Sequence, residues 1–296
     1  MASTGPGSEK NVGSPIGEKA ISRQRLLAAL TATDVTVRRL DQFLSTTGGE
    51  ERALALINYV AAILHHLSAS APWIAAQTRL GLVARAKGRS APSKTPSEAS
   101  LRWKALSSLA SETRYTLRLF GLIPLWVWGS ETIKNPPADP VLHALTLGQV
   151  ISNVVYQFLE NAAYLASKGI ISKRFIEKYG GVAKWDLWSI RGWFGHIFLQ
   201  FFVLWRERVL RNRRLAAKKA AGGAKSQELS AEEAEQLRLE IRNWKKSLVN
   251  NVVWAPLCLH WCLEKGIGIP DSLHGLISLM AGAWGIGDRW VATGSA

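Results

Sequence analysis

Residues 141–167 read VLHALTLGQVISNVVYQFLENAAYLAS, and this stretch decides the fold class. Pro136, Pro137 and Pro140 close the preceding region, so a new element starts at about Val141. Its polar residues are not scattered. Gln149, Asn153, Gln157, Glu160 and Tyr164 recur at three- and four-residue spacing and form a single stripe, opposite apolar positions such as Leu147, Val154 and Leu165. That period belongs to a helix, and strand signals are weak along the whole chain. Such a stripe faces either water or other helices of a bundle, and in lipid it must be internal. Glu160 has no second carboxylate or histidine placed to assist it, which favours a structural role over acid catalysis.

Beyond this helix, Trp185 to Trp205 is apolar and flanked by tryptophan, close to the about 20 residues that cross a bilayer. Arg191, His196 and Gln200 interrupt it, so the segment is expected to be tilted, partnered or partly inserted. Arg206, Arg208, Arg211, Arg213, Arg214, Lys218 and Lys219 follow at once. A basic cluster beside an apolar segment points to the cytosolic side and an anionic phospholipid surface. Gly222-Gly223 and the acidic stretch from Glu228 to Glu240 complete a polar hairpin. Leu248–Leu263 and Leu273–Trp290 then read as a second, apolar hairpin, with Pro256 as a tolerated kink. In its second arm Gly275, Ser278, Gly282 and Gly285 share one face, which lets another helix approach closely, within the chain or between copies.

Toward the amino terminus, Gly48-Gly49 separates a short helix from a longer one whose Leu54, Ile57, Val60 and Leu64 make one dry face. The adjacent His65 and His66 cannot share a face and are read as structural. Between Leu101 and Phe120, residues Leu106, Leu109, Ala110, Thr113, Leu117 and Phe120 fall on one stripe, with Lys104, Arg114 and Arg118 largely elsewhere. Such a helix either lies in a membrane interface or packs on neighbouring helices. Trp126 and Trp128 follow in a run suited to a bilayer boundary.

Composition agrees. The 296 residues include 13 Trp, an aromatic that favours wet–dry boundaries, and a net charge of +15 calls for an anionic partner, nucleic-acid phosphate or membrane. Cys258 and Cys262 lie on one helical face and do not make a disulfide framework, while His260 points away from that face, so they are read as packed apolar residues and not as metal ligands. Residues 1–20 hold no apolar signal segment and read as a disordered tail, and the terminal Thr-Gly-Ser-Ala is not a Ser-Lys-Leu address. No Gly-rich phosphate loop, metal spacing or nucleophile–base pair is present, so neither enzymatic activity nor a cofactor is expected.

The expected organisation is all-α: a membrane-embedded helical bundle with an amphipathic interfacial helix and a C-terminal hairpin. After the tail come an N-terminal helical region over 21–85, a linker over 86–100 and the amphipathic helix with its interfacial segment over 101–128. The long helix and transmembrane segment occupy 141–205, a basic and acidic cytosolic loop 206–246, and the membrane hairpin 247–290. If the long helix, Trp185–Trp205 and both hairpin arms all span, the lysines from Lys168 to Lys184 face the lumen against the positive-inside tendency, so arrangements with two or three spans stay open.

Three segments resemble the peroxin-11 family of peroxisomal membrane proteins. Within Leu40–Leu64, FLSTTGGEERALALINYVAAIL is similar to the family's short helix, Thr-Gly turn, charged pair and Leu-rich helix with an amide–tyrosine dipeptide, here Asn58-Tyr59. ETRYTLRLFG, Glu112–Gly121, looks like the basic, leucine-rich end of its amphipathic helix. FLENAAYLASKGII, Phe158–Ile171, followed by the Trp- and Arg-rich stretch, is the most specific, and Pro270-Asp271 before a Gly-rich last helix also fits. The departure is Ala53 and Ala55, where the family's helix is more basic. The Arg206–Lys246 insertion and abundant Trp resemble the C-type branch of fungi.

The resemblance implies a peroxisomal integral membrane protein that promotes elongation, division and proliferation without chemistry. It implies insertion of an amphipathic helix, with Leu106, Leu109, Leu117 and Phe120 as wedge and Lys104, Arg114 and Arg118 as basic edges. Arg211, Arg213, Arg214, Lys218 and Lys219 are candidates for targeting and lipid binding, and Gly275, Ser278, Gly282 and Gly285 for helix contact. Expected partners are anionic membrane lipids, further copies or paralogues and the peroxisome division machinery, with no nucleic acid. A metabolite channel lined by the Gln149–Glu160 stripe and Arg191 is the first alternative, and a basic nucleic-acid-binding helical protein the second.

Overall fold

In the computed structural model, residues 15–77, 97–221 and 230–294 are described, and none of them is in a strand. They form nine helices: α1 Pro15–Leu44, α2 Thr47–Gln77, α3 Glu98–Arg118, α4 Leu122–Lys134, α5 Pro140–Ser167, α6 Lys173–Lys178, α7 Val182–Ala221, α8 Ala231–Cys262 and α9 Asp271–Ala292. The protein is all-α, as its periodicity implies. The long helix begins at Pro140, where the missing proline N–H costs no hydrogen bond and the Asp139 side chain caps the Leu142 amide. At its other end Gly169 takes φ +77°, and the Ile170 amide turns back to the Leu165 carbonyl at 2.9 Å.

Several boundaries differ from expectation. Residues 15–20, assigned to the tail, belong to α1, while 1–14 lie outside the described residues. Of the expected linker, 86–96 lie outside the described residues, and Ser97 caps a helix that starts at Glu98. Gly48 and Gly49 sit in the first turn of α2, where the Thr46 carbonyl accepts from the Gly49 amide at 2.8 Å. The larger correction concerns 206–246. Its described residues are not a loop: α7 runs unbroken through the basic cluster to Ala221 and α8 starts at Ala231, because charges on the two arms meet. Arg214 pairs with Glu240 and Lys218 with Glu233, each at 2.6 Å. The Gly222-Gly223 turn lies outside the described residues.

Residues 51–288 form one compact unit in which neighbouring helices run antiparallel. The α2–α3 seam is tied by Glu51–Arg114 at 2.8 Å, Asn58–Ser107 at 2.6 Å and the His65–Ser100 contact at 2.8 Å. The α3–α5 seam carries Arg118–Glu160 at 2.9 Å, and side chains of α5 bond carbonyls at the end of α3: Gln157 donates to Arg118 O and Asn161 to Leu119 O, both at 3.0 Å. Between α5 and α7 run Gln149–Gln200 at 2.6 Å and Asp139–Arg206 at 2.6 Å. The Arg206 guanidinium and the Leu142 amide hold the Asp139 carboxyl down at about 2. Between α7 and α8, Arg191 donates to Cys262 O, Asn251 to Ile197 O and Trp244 to Leu204 O. Lys246–Asp288 at 2.5 Å and the His260–His274 ring contact at 5.0 Å join α8 to α9. Finally α9 returns to α2, where a Cβ on Gly275 would lie 3.1 Å from Tyr59 O. Six helices therefore close a ring.

The second unit comprises residues 1–50 and 289–296. Among its described residues Arg39 donates to Trp290 O at 2.8 Å with its guanidinium 4.3 Å from the centre of the Trp290 ring, and Arg289 hydrogen-bonds Thr46.

Candidate membrane interface

Within 51–288 polar side chains are buried beside apolar ones, while many large apolar side chains face outward. Gln149, Gln157, Glu160, Asn251 and Ser278 are buried, whereas Phe158, Phe198, Trp205, Val252 and Met280 are exposed on the outward faces of α5, α7, α8 and α9. The stripe on α5 takes the bundle option of the two that its sequence left open. Gln149 faces Gln200, Asn153 donates to the Gln149 carbonyl, Gln157 and Asn161 hold the end of α3, and Tyr164 meets Thr116 at 2.9 Å. Arg191, the other expected pore residue, is turned to the Cys262 carbonyl and lies over the Trp188 ring. Gln149, Gln157, Asn161, Tyr164 and Arg191 are thus tied between helices.

The α3–α4 corner concentrates the exposed apolar side chains. Leu109 is 63% exposed, Phe120 72% and Trp126 79%, with Leu106 and Ile123 also exposed. Leu117 is half-buried and Ala110 is buried, so the stripe read from the sequence rolls inward along one edge and outward along the other. Lys104 is exposed. Arg114 and Arg118 are not flanking charges on this face: they point into the unit, held by Glu51 and Glu160, whose distance in the chain hid the pairing.

The five basic residues beyond Trp205 divide in the same way. Arg211 is buried, with its guanidinium 5.3 Å from the centre of the Trp244 ring, and Arg214 and Lys218 pair with α8. Arg213 and Lys219 are exposed and pair with no described carboxylate. The small-residue face of α9 packs on α2: a Cβ on Gly275 would meet Tyr59 O, Ala62 and Ile63, one on Gly282 would lie 3.8 Å from the Tyr59 ring, and Gly285 faces Arg52 at 3.6 Å. Ser278 on the same face is buried.

A second close seam was not anticipated. A Cβ on Gly192 would lie 3.0 Å from Tyr156 N and 3.1 Å from Ser152 O, and one on Gly195 3.1 Å from Ser152 Oγ. The sequence signal was the Gly-Trp-Phe-Gly spacing, lost inside an aromatic run.

Inside the ring, Arg118 donates through Nε and Nη2 to both oxygens of Glu160 at 2.9 and 3.1 Å, and Tyr156 donates its O–H to Glu160 Oε2 at 2.9 Å. This network borders a cavity of about 450 Å³ lined by residues of α2, α3, α5, α7, α8 and α9. No group of three metal-ligating side chains occurs among the described residues, and Cys258 and Cys262 are buried and free.

By length and mean hydropathy, one described helical stretch suffices to cross a membrane, Thr47–Ser70, with mean hydropathy 1.4. The expected spans at Trp185–Trp205, Leu248–Leu263 and Leu273–Trp290 do not meet that test: Asp186, Arg191, His196 and Gln200 dilute the first, Asn250, Asn251 and His260 the second, and His274, Asp288 and Arg289 the third.

The sequence model of the family described as Peroxisomal biogenesis factor 11 (PEX11) matches residues 83–290. An uncharacterized protein of Schizosaccharomyces pombe is 27% identical over 176 residues, 60% of this chain and 70% of that protein. No solved structure matches the chain.

Proposed function

The chain belongs to the peroxisomal biogenesis factor 11 family, and on that premise we propose that it is an integral protein of the peroxisomal membrane that bends the bilayer and so promotes elongation and division of the organelle. The observation that carries this reading is the outer surface of residues 51–288, where large apolar side chains such as Phe158, Phe198, Trp205, Val252 and Met280 are exposed while amides and a carboxylate are buried. Water would penalise that outer surface, whereas an acyl environment accepts it, and the buried Gln149, Gln157, Glu160 and Asn251 already have partners. A structural, non-enzymatic role fits Glu160, the buried carboxylate, which is held by Arg118 and Tyr156.

The α3–α4 corner is the wedge. Leu109, Phe120, Ile123 and Trp126 are exposed apolar groups, and burying each large side chain in the acyl boundary contributes roughly 1.5–3 kcal/mol before ordering costs. Lys104, Arg213 and Lys219, exposed on their helices, are available to anionic headgroups, each worth about 1 kcal/mol near such a surface. Further copies or paralogues and the division machinery are the proposed protein partners. The α9 glycine face is occupied by α2, so contacts between copies fall to other apolar faces.

Reconstituting the full chain into anionic vesicles tests the wedge. The parent is expected to tubulate or deform them, and Leu109→Glu with Phe120→Glu to lose most of that effect while melting within a few degrees of the parent, since both side chains are exposed. In cells the double variant should remain on peroxisomes while changing their number or size. Unfolding of the double variant would assign these residues to the core, and unchanged deformation would remove the wedge.

A further inference from the structure

We propose that the cavity bordered by Arg114, Tyr156 and the tryptophans of α7 and α8 is a binding site for the zwitterionic headgroup of a phospholipid, its phosphate on Arg114 and its ammonium group against the rings. Arg114 is the anchor. Its side chain is 14% exposed, its Nε donates to Glu51 at 2.8 Å, and its guanidinium lies 5.4 Å from the centre of the Tyr59 ring. Those contacts fix the plane of the fork, yet no described acceptor takes the N–H groups on Nη1 and Nη2 of a residue that lines the cavity. A buried guanidinium with spare donors fits a phosphate oxygen pair better than an ammonium would.

Across the cavity stand Trp193, Trp254 and Trp261, with Trp193 at 5.1 Å from Trp254 and 6.4 Å from Trp261 between ring centres, and Tyr156 at 6.2 Å from Trp193. Indole faces attract an ammonium group held within about 6 Å. Charge then decides between headgroups. Arg114, Arg118 and Glu160 line the cavity, and Glu51, which lies outside the lining but bonds Arg114, brings the four groups to no net charge, so the site has little left over for a purely anionic ligand. A headgroup carrying both signs complements it. The volume of about 450 Å³ falls within the roughly 300–1,000 Å³ of small-molecule sites.

The purified full chain in maltoside micelles, titrated with dihexanoylphosphatidylcholine and followed by tryptophan fluorescence and calorimetry, tests this directly and without relying on bilayer insertion. Saturable binding to the parent is expected. Dihexanoylphosphatidylglycerol, which keeps the phosphate and lacks the ammonium, should bind at least about tenfold more weakly. Phosphocholine should compete and inorganic phosphate should not. Arg114→Lys, which keeps the charge opposite Glu51 but loses the fork, and Trp261→Leu should each weaken binding about tenfold. Absence of saturable binding, equal affinity for the glycerol lipid, displacement by inorganic phosphate alone, or full affinity in both variants overturns the proposal. Vesicle deformation that persists while the lipid fails to bind would discard this site and leave the membrane-shaping role standing.

Discussion

Replacing Glu160 by leucine is expected to lower stability by about 3–5 kcal/mol, the range for breaking one side of a buried ion pair. Its side chain is 10% exposed and that of Arg118 23%, and the guanidinium left behind would keep only the more distant Glu51, at 3.7 Å, as a counter-charge. Tyr156 would lose its acceptor as well. Arg118→Met combined with Glu160→Leu should recover most of the loss, because an apolar pair of similar volume removes the stranded charge rather than exposing it. Unfolding of the purified protein in detergent, compared across the parent, the single and the double variant, measures this. A single variant as stable as the parent would show that the pair is solvated and contributes little.

Gly192→Leu is expected to force α5 and α7 apart and to lower stability by more than the about 1–3 kcal/mol typical of an overpacked core position. The atoms that a side chain would meet are Tyr156 N at 3.0 Å, Ser152 O at 3.1 Å and Tyr156 Cα at 3.2 Å. All belong to helix backbone, which cannot rotate aside as a side chain would. Gly192→Ala should already be destabilising. Gly287 is the control, since a Cβ there meets nothing within 4 Å, and Gly287→Ala should raise stability by roughly 0.5–1 kcal/mol through helix propensity. Thermal unfolding of the three variants decides it. If Gly192→Leu melts with the parent, the close α5–α7 approach is not a feature of the protein in solution.

The long helix was legible because a single amide and carboxylate stripe over 141–167 fits only the helical period and because prolines mark its start. The arms of 206–246 were not, since charge density reads as a solvated loop until the partner charges are seen side by side. Glu233 and Glu240 supply those partners across the turn. The inward aim of Arg114 and Arg118 was invisible for a related reason. A helical wheel separates apolar from charged positions but does not say which side faces the bundle, and Glu51 and Glu160 lie 63 and 42 residues away. On α9, Gly275, Gly282 and Gly285 face α2, a partner that small-residue spacing alone does not name. Gly192 and Gly195 were passed over because the aromatic run around them was read for length alone. Thr47–Ser70, the most span-like stretch, was read only as a packed helix with one dry face, since Glu50, Glu51, Arg52, His65 and His66 punctuate it.

Membrane residence of the apolar outer surface of residues 51–288 is tested most directly by alkaline carbonate extraction of organelles carrying the full chain. Integral residence requires the protein to stay with the membrane pellet, as a bundle with Phe158, Phe198, Trp205 and Met280 on its outside has nowhere else to place those surfaces. Quantitative release into the supernatant would contradict it and make the exposed apolar faces a site for other proteins instead.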